Sequence, residues 1–364
     1  MERLPVTSQL LGKLFTLNGN SLGRAYKEHL SGFRNWSQKK TAATRMTLPE
    51  NLGTRLSIDE TCLHNGEVYT LLSSKKQEGM TSRSVLAAAV QSTIVDKVST
   101  ALEDFPLEAR LRVEEVTMDF SNSMLGIARR AFPNAMIVID CFHITKLIGT
   151  ALEDIRSALK RKARRKEQKA ARTFRDQEQR RLAALKVYDV DHPCPYSGKK
   201  RGRKPLPART YSTPRLANGD TIIELLTRIR YPLLKSPDKW HAKQKTRMEL
   251  AFELFPTLKE AYGLANGLRA LLRSRCSRAE AAGKLQQWKE KVRDFGNPFL
   301  ISAMETIESR EEHVLNYFVA RSTNAAAESM NSLIKAFRSL VRGVGDPAFF
   351  MFRIGKIFGH APAV

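Results

Sequence analysis

Residues 55–74 read RLSIDETCLHNGEVYTLLSS, and their alternation decides the fold class. In RLSIDET (55–61), Leu56 and Ile58 fall on one side and Ser57, Asp59 and Thr61 on the other. That period-two pattern is expected of a half-buried strand, with Asp59 near its end. Asn65-Gly66 follows, the dipeptide that best accepts positive φ in a two-residue hairpin turn, and EVYTLLSS (67–74) resumes the strand pattern beyond it. After a polar break, KKQEGMTSR, the apolar run SVLAAAVQ supplies a third strand, so three consecutive antiparallel strands are expected.

Downstream, the pattern predicts a helical segment near 95–110, a strand VEEVTMDF (113–120), a helix SNSMLGIARRAF and a further strand AMIVID (135–140). The order βββ followed by αβαβ suits an α/β architecture, a mixed sheet flanked by helices, because parallel neighbours need helical crossovers. Upstream, residues 1–50 form a small entry segment of short amphipathic runs and basic-aromatic residues (SGFRNWSQKK), closed by the turn-rich PENLG. Residues 51–147 hold the first part of the core, 148–320 read as an all-helical region without a fixed-period repeat, and 321–364 as closing helices.

The chain has 364 residues, with 61 Lys+Arg against 37 Asp+Glu and a net charge of +24. This imbalance points to polyanionic partners, while 42% hydrophobic residues exclude a disordered tail protein. Residues 151–210 alone carry 19 Lys+Arg and 7 Asp+Glu, half of the net charge. The first part of that stretch has helix-forming composition, and HPCPYSGKKRGRKPLPARTYSTP (192–214) reads as a Pro/Gly-basic loop suited to tracking a phosphate backbone. A solvated helix face is the ordinary reading of such a run; the size of the excess favours nucleic acid.

No stretch reaches the roughly 18 apolar residues of a membrane helix, and the N-terminus lacks a signal-peptide pattern, so a cytoplasmic, DNA-associated protein is expected. Cys62, Cys141, Cys194 and Cys276 are scattered without a C-x-x-C pair, which supports neither a zinc finger nor a disulfide framework. Cys62 and Cys141 are expected as small buried hydrophobes. Trp36, Trp240, Phe349, Phe350 and Phe352 have the chemistry to stack on bases, but packing is their more ordinary role.

In so basic a chain, carboxylates at strand ends raise the question of which cation they hold. Asp59 and Asp119 each end a strand-like run, and Glu328 lies in STNAAAESMNSLIKAF. A helix over 324–338 sets Asn324, Glu328, Asn331 and Lys335 on one face, leaving Ala327, Leu333, Ile334 and Phe337 to pack elsewhere. Two Asp from neighbouring strands and a Glu from a covering helix offer hard oxygen ligands to two Mg²⁺ or Mn²⁺ ions, and so to phosphodiester chemistry. Each residue also has a bland reading: both Asp as turn or helix caps, Glu328 as a solvated helix residue. Asp140 and His143, in DCFH, are either a ligand pair or a structural Asp and a satisfied histidine.

Four boxes taken together, SIDET, VEEVTMDFSNSM, FPNAMIVIDCFHITKL and RSTNAAAESMNSLIKAFRSLVRG, resemble the bacterial insertion-sequence transposases of the ISL-three family, in a subgroup with a separately encoded N-terminal region. The match runs from about residue 25 to the end. The resemblance implies an RNase H-like core with a DDE triad, interrupted by a large helical insertion (148–320) before the final Glu. It carries the first Asp onto Asp59, the second onto Asp119 and the Glu onto Glu328, with the D-x-x-H box on Asp140 and His143 close by. Asp140 is the rival for second Asp.

Full-length relatives carry an N-terminal zinc-binding and helix-turn-helix region, whereas the 58 residues before Asp59 hold no Cys cluster. End recognition is therefore expected to come from a separate N-terminal polypeptide, or the chain is a fragment, with phosphate contacts dominating its own DNA binding. The function expected is that of a transposase catalytic subunit, acting on double-stranded element ends and target DNA as a homodimer. Asp59, Asp119 and Glu328 would hold two Mg²⁺, with Asp140, His143, Asn324 and Asn331 as accessory residues. Lys335, Arg338 and Arg342 would hold phosphates, and the basic stretch with Lys160, Arg161, Lys162, Arg164, Arg165, Lys199, Lys200, Arg201, Arg203 and Lys204 would hold flanking or target DNA. The alternatives are a catalytically inactive DNA-binding remnant or regulator, and a structure-selective nuclease. No nucleophile-centred cluster surrounds Tyr188 or Tyr196, which sets recombinase chemistry aside.

Overall fold

The computed structural model describes residues 1, 4–64, 66–75, 84–191 and 208–359. Among these, the strands are β1 (Arg45–Thr47), β2 (Arg55–His64), β3 (Glu67–Ser74), β4 (Val85–Val90), β5 (Glu115–Met118) and β6 (Met136–Ile139). The helices are α1 (Ser8–Leu14), α2 (Gly19–Ala25), α3 (Val95–Leu102), α4 (Leu107–Leu111), α5 (Asn122–Ala131), α6 (Cys141–Asp191), α7 (Ile222–Arg228), α8 (Ala242–Leu254), α9 (Pro256–Arg273), α10 (Arg278–Phe295), α11 (Pro298–Glu308), α12 (Glu311–Ala320), α13 (Ala325–Leu340) and α14 (Pro347–Phe358). None of them is long and apolar enough to cross a membrane.

The strands form one mixed sheet in the order β1-β4-β3-β2-β5-β6. The first four are joined by antiparallel pairs, whereas β5 pairs parallel with β2, and β6 parallel with β5. Those two parallel pairs are the ones reached through helices, α3 and α4 before β5 and α5 before β6, as parallel neighbours require. The α/β class and the order of three antiparallel strands followed by αβαβ therefore stand as read from the sequence.

Several local expectations are corrected. β2 extends through Asp59 to His64, because its antiparallel partner β3 runs further than its parallel partner β5, so Asp59 lies mid-strand. Leu56, Ser57 and Ile58 are all buried, since β2 is central and covered on both faces rather than half-buried. The helical segment near 95–110 is two helices, α3 and α4, separated at Pro106, which supplies no N–H to continue the first. β1 has three residues, too short to show a period. Gly66 turns the hairpin with φ +83°; Asn65 lies outside the described residues. Cys62 is exposed and Cys141 half-buried, so neither is a core residue.

The chain divides into two compact units, one of residues 1–145, 272–286 and 305–364, the other of 146–271 and 287–304. In the first, α3 and α5 pack on one face of the sheet, while α13 lies across β2 and α14 against β4 on the other. α13 contributes Met330, Ile334 and Phe337 to a core with Leu63, Tyr69, Leu71, Leu86, Phe350 and Ile354. With Ala327 they form the buried stripe, and Leu333 falls off it and is 44% exposed, contrary to its expected packing role. Phe349, Phe350 and Phe352 pack with Phe33, Trp36 and Phe337, so these rings are committed inside the unit.

The second unit is helical in its described residues. Its core includes Leu225, Leu226, Ile229, Leu233, Met248 and Leu258. Arg156 is buried there, paired with Glu153 and donating to the Leu226 carbonyl at 2.7 Å. Trp240 packs on Phe252 and Tyr262 and donates its indole N–H to the Pro232 carbonyl at 2.9 Å, which accounts for its ring as structure. Residues 209–213 run back along α6, with the Arg209 N–H on Glu178, Tyr211 beside Phe174, and Thr213 on Glu167.

Phe337 is 1% exposed and stacks on Phe350 with ring centroids 5.7 Å apart. Phe337→Ala is expected to cost about 3–5 kcal/mol, seen as a lowered urea midpoint; an unchanged midpoint would mean that α13 is not held by this stripe.

Candidate active site

The parallel pairing sets three aspartates in a row. Ser57 pairs with Thr117, and Thr117 with Val138. Two residues further on come Asp59, Asp119 and Asp140, on the same sheet face and at the carboxyl-terminal ends of the parallel pairings. This is where open α/β sheets place their ligand sites. Asp119 Oδ1 accepts the Ser121 N–H at 2.7 Å, and Asp140 Oδ1 accepts the Phe142 N–H at 3.1 Å, so both carboxylates are oriented by the turns leaving their strands. Asp140 is 1% exposed.

α13 covers the row. Its Asn331 donates to Asp59 Oδ2 at 2.5 Å, and Asp59 Oδ1 accepts the Glu60 N–H at 2.8 Å, so both oxygens of Asp59 are held. Burial raises the Asp59 carboxyl, opposed by the Glu60 N–H; the Asp119 charge raises it further, and His143 and Lys335 pull it down, with a net rise. Glu60, beside it, is raised by burial and by the same two aspartates. These acids repel one another at short range, the condition that a divalent cation relieves.

Asp140, His143 and Glu328 each offer a ligand atom within 4.8 Å of the other two. It is the one such group among the described residues; the expected trio of Asp59, Asp119 and Glu328 does not reach that closeness. Asp59 and Asp119 stand beside the group, coupled to each other and, through Asp59, to His143. Asn324, the expected accessory residue, is 1% exposed at the N-cap of α13, with neither amide atom hydrogen-bonded. Carboxylates with one imidazole are a donor set for Mg²⁺ or Mn²⁺.

Sequence reading missed a buried pair on the same sheet face. Lys75 donates to Glu115 at 2.7 Å and to Thr117, and Ser322, in the segment entering α13, also bonds Glu115. Burial raises Glu115, but the Lys75 and Ser322 hydrogen bonds outweigh it and hold the carboxyl low; burial lowers the Lys75 ammonium despite Glu115 and Asp140. The pair ties the approach to Glu328 to the strand that leads to Asp119. The available signal was the parity of Glu115, Thr117 and Asp119; Lys75 looked like the start of a polar loop.

Of the expected DNA-contacting residues, Lys335 is exposed and acts electrostatically on Asp59. Arg338 donates to the Cys62 carbonyl at 3.3 Å, and Arg342 is exposed with φ +57°. Lys160, Arg161, Lys162, Arg164 and Arg165 lie on α6, all but the half-buried Lys160 exposed. Lys199, Lys200, Arg201, Arg203 and Lys204 lie outside the described residues.

Because its folded pKa is raised from 3.8, Asp59 favours folding most when protonated, and that contribution is lost as pH rises through the shifted value. In chelator-treated buffer, the melting temperature of Asp59→Asn relative to the native chain should therefore climb as pH rises above the ordinary carboxylate value of 3.8. A difference that does not change with pH would contradict the electrostatic strain at Asp59.

Comparison with known families bears out the resemblance carried by the four boxes. The family model described as a transposase, of the ISL-three DDE type, matches residues 56–194 and 199–354. No curated protein and no solved structure matches the chain. The family match takes in Asp59, Asp119, Asp140, His143 and Glu328, and the chain belongs to the ISL-three family of DDE transposases.

Proposed function

We propose that this chain is a transposase catalytic subunit that cleaves DNA at element ends and joins the freed ends to target DNA. The observation that carries the reading is the row of Asp59, Asp119 and Asp140 on adjacent strands, with Glu328 brought to its edge by a helix from the far end of the chain. An RNase H-like core is supported by the strand order, three antiparallel strands followed by two parallel ones with acids at their ends. On this reading residues 1–50 are an entry segment, 51–147 and 321–364 the two parts of the core, and 148–320 a helical insertion between them.

Asp59, Asp119 and Glu328 are assigned as metal ligands, with Asp140 and His143 beside them. Two bound Mg²⁺ or Mn²⁺ ions would supply charge stabilisation and lower the pKa of a bound water. Asn331, bonded to Asp59 Oδ2, fixes which way that carboxylate faces. Lys335 places a cation near the acids, where a scissile phosphate has to sit beside negative charge. In the first step water attacks phosphorus and the P–O3′ bond at the element's end breaks, the 3′ oxygen leaving with a proton. In the second, that 3′-hydroxyl attacks a target phosphodiester, whose own 3′ oxygen departs. No covalent link to the protein forms. Pairing two ends favours a homodimer on DNA, and a separate N-terminal polypeptide would supply end recognition.

One observation favours a variant of the triad, since Asp140 rather than Asp119 lies within 4.8 Å of Glu328 and His143. Asp119→Asn and Asp140→Asn separate the two: the true second acid loses all metal-dependent cleavage, and the other retains a reduced rate. Glu328→Gln is expected to keep the fold and DNA binding and to lose Mg²⁺-dependent cleavage by a factor of about a thousand or more. Unchanged cleavage would sink the assignment, and a native chain that binds DNA but never cuts would favour a noncatalytic regulator.

A further inference from the structure

Away from the acid row's metal-capable groups, a second cluster joins two elements of the first unit. Arg129, on α5, donates to His313 Nε2, on α12, at 3.3 Å. Arg310, at the N-cap of α12, donates to Asn122 Oδ1, in the first turn of α5 and three residues past Asp119. Both guanidinium groups act electrostatically on His313.

Three features of this cluster suit an anion. First, neither Arg129 nor Arg310 pairs with a carboxylate among the described residues; Glu312 is felt by His313 but bridges to neither. Two cations converge on one imidazole without compensation, in a chain that is already +24. Second, His313 is 8% exposed, and burial, followed by the Arg129 charge, lowers its pKa and so favours the neutral ring. Its Nε2 accepts from Arg129, so Nδ1 carries the hydrogen, and that buried N–H has no acceptor. Third, Arg310 Nε is also buried without a partner. Orphaned buried donors are costly, and they collect where a ligand completes them. Arg129 itself is exposed, which leaves the cluster open to solvent.

We propose that Arg129, Arg310 and the His313 Nδ1–H form a site for one backbone phosphate of the DNA strand that runs into the acid row. Arginine forks match phosphate oxygens in bidentate fashion, and Asn122 holds Arg310 near Asp119. This deepens the proposed transposase reading by naming a contact for the same substrate, and it is tested without any cleavage.

The experiment is fluorescence anisotropy of a short labelled duplex in EDTA over a salt series. It compares the native chain, Arg129→Gln/Arg310→Gln, and a control of equal net charge, Lys97→Gln/Arg112→Gln, whose two residues are exposed elsewhere on the unit. The cluster variant is expected to bind about tenfold more weakly. Its log Kd against log salt should be shallower by about 0.9, the loss of one phosphate, with the control keeping the native slope. Equal behaviour of cluster variant and control overturns the site. If circular dichroism shows that the double variant has lost its fold, the two single substitutions decide by the same criterion, native affinity and slope in both being the contradicting result. Thermal unfolding in inorganic phosphate against chloride, at constant ionic strength, separates the sources. A phosphate-dependent stabilisation lost in the variant while duplex binding stays native would assign the cluster to free phosphate and overturn the DNA contact. Because no arm requires metal or cutting, a failure here leaves the Glu328→Gln result standing, and the converse also holds.

Discussion

The candidate site depends on one packing constraint, the burial of the Ala327–Met330–Ile334–Phe337 stripe of α13 against the sheet. A stripe at 3.6-residue spacing fixes rotation about the helix axis as well as position. Once it is seated, Asn331 has to face Asp59, and Glu328, one turn earlier, has to face the ends of the strands. Burying four apolar side chains contributes on the order of several kcal/mol. That is enough to hold a carboxylate against others that repel it. The apolar face of α13 thus fixes a polar arrangement that would not assemble by itself.

Electrostatics explains the rest of the neighbourhood. The chain is strongly basic, yet the carboxyl-terminal ends of its parallel strand pairings gather Asp59, Asp119 and Asp140, with Glu60 at their side. Behind them the Lys75–Glu115 pair neutralises itself and bonds Ser322, which leads into α13. Beside the row, the exposed Lys335 acts on Asp59, and Arg338 donates to the Cys62 carbonyl further along the same strand. A metal-dependent phosphodiester site needs this distribution: acids to bind cations, and a positive surround to bring in a polyanion.

Much of this was legible in the sequence, because strand parity and turn chemistry are local. The hairpin at Gly66, the αβαβ order and the polar face of 324–335 needed only neighbours a few residues away. The register that aligns Asp59 with Asp119 and Asp140 did not, since it depends on which strands pair in parallel and how far each pairing extends. For the same reason Asp59 was placed at a strand end: β3 carries β2 past the point where β5 stops. Lys75 was invisible beside a polar loop, and the approach of Arg310 to Asn122 joins residues that no local pattern relates. Leu333 shows the limit of apolar identity as a guide, because the stripe rather than the residue type decides what is buried.

We propose that Asp59, Asp119 and Asp140, at the carboxyl-terminal ends of the parallel pairings, form one cation site with Glu328. Mn²⁺ titration followed by electron paramagnetic resonance, on the native chain and on Asp59→Ala, Asp119→Ala and Glu328→Ala, tests it most directly. Saturable binding is expected for the native chain, lost or weakened by at least about tenfold in each variant. Native-like binding in all three would contradict it and leave the row as a set of turn-capping acids in a DNA-binding protein.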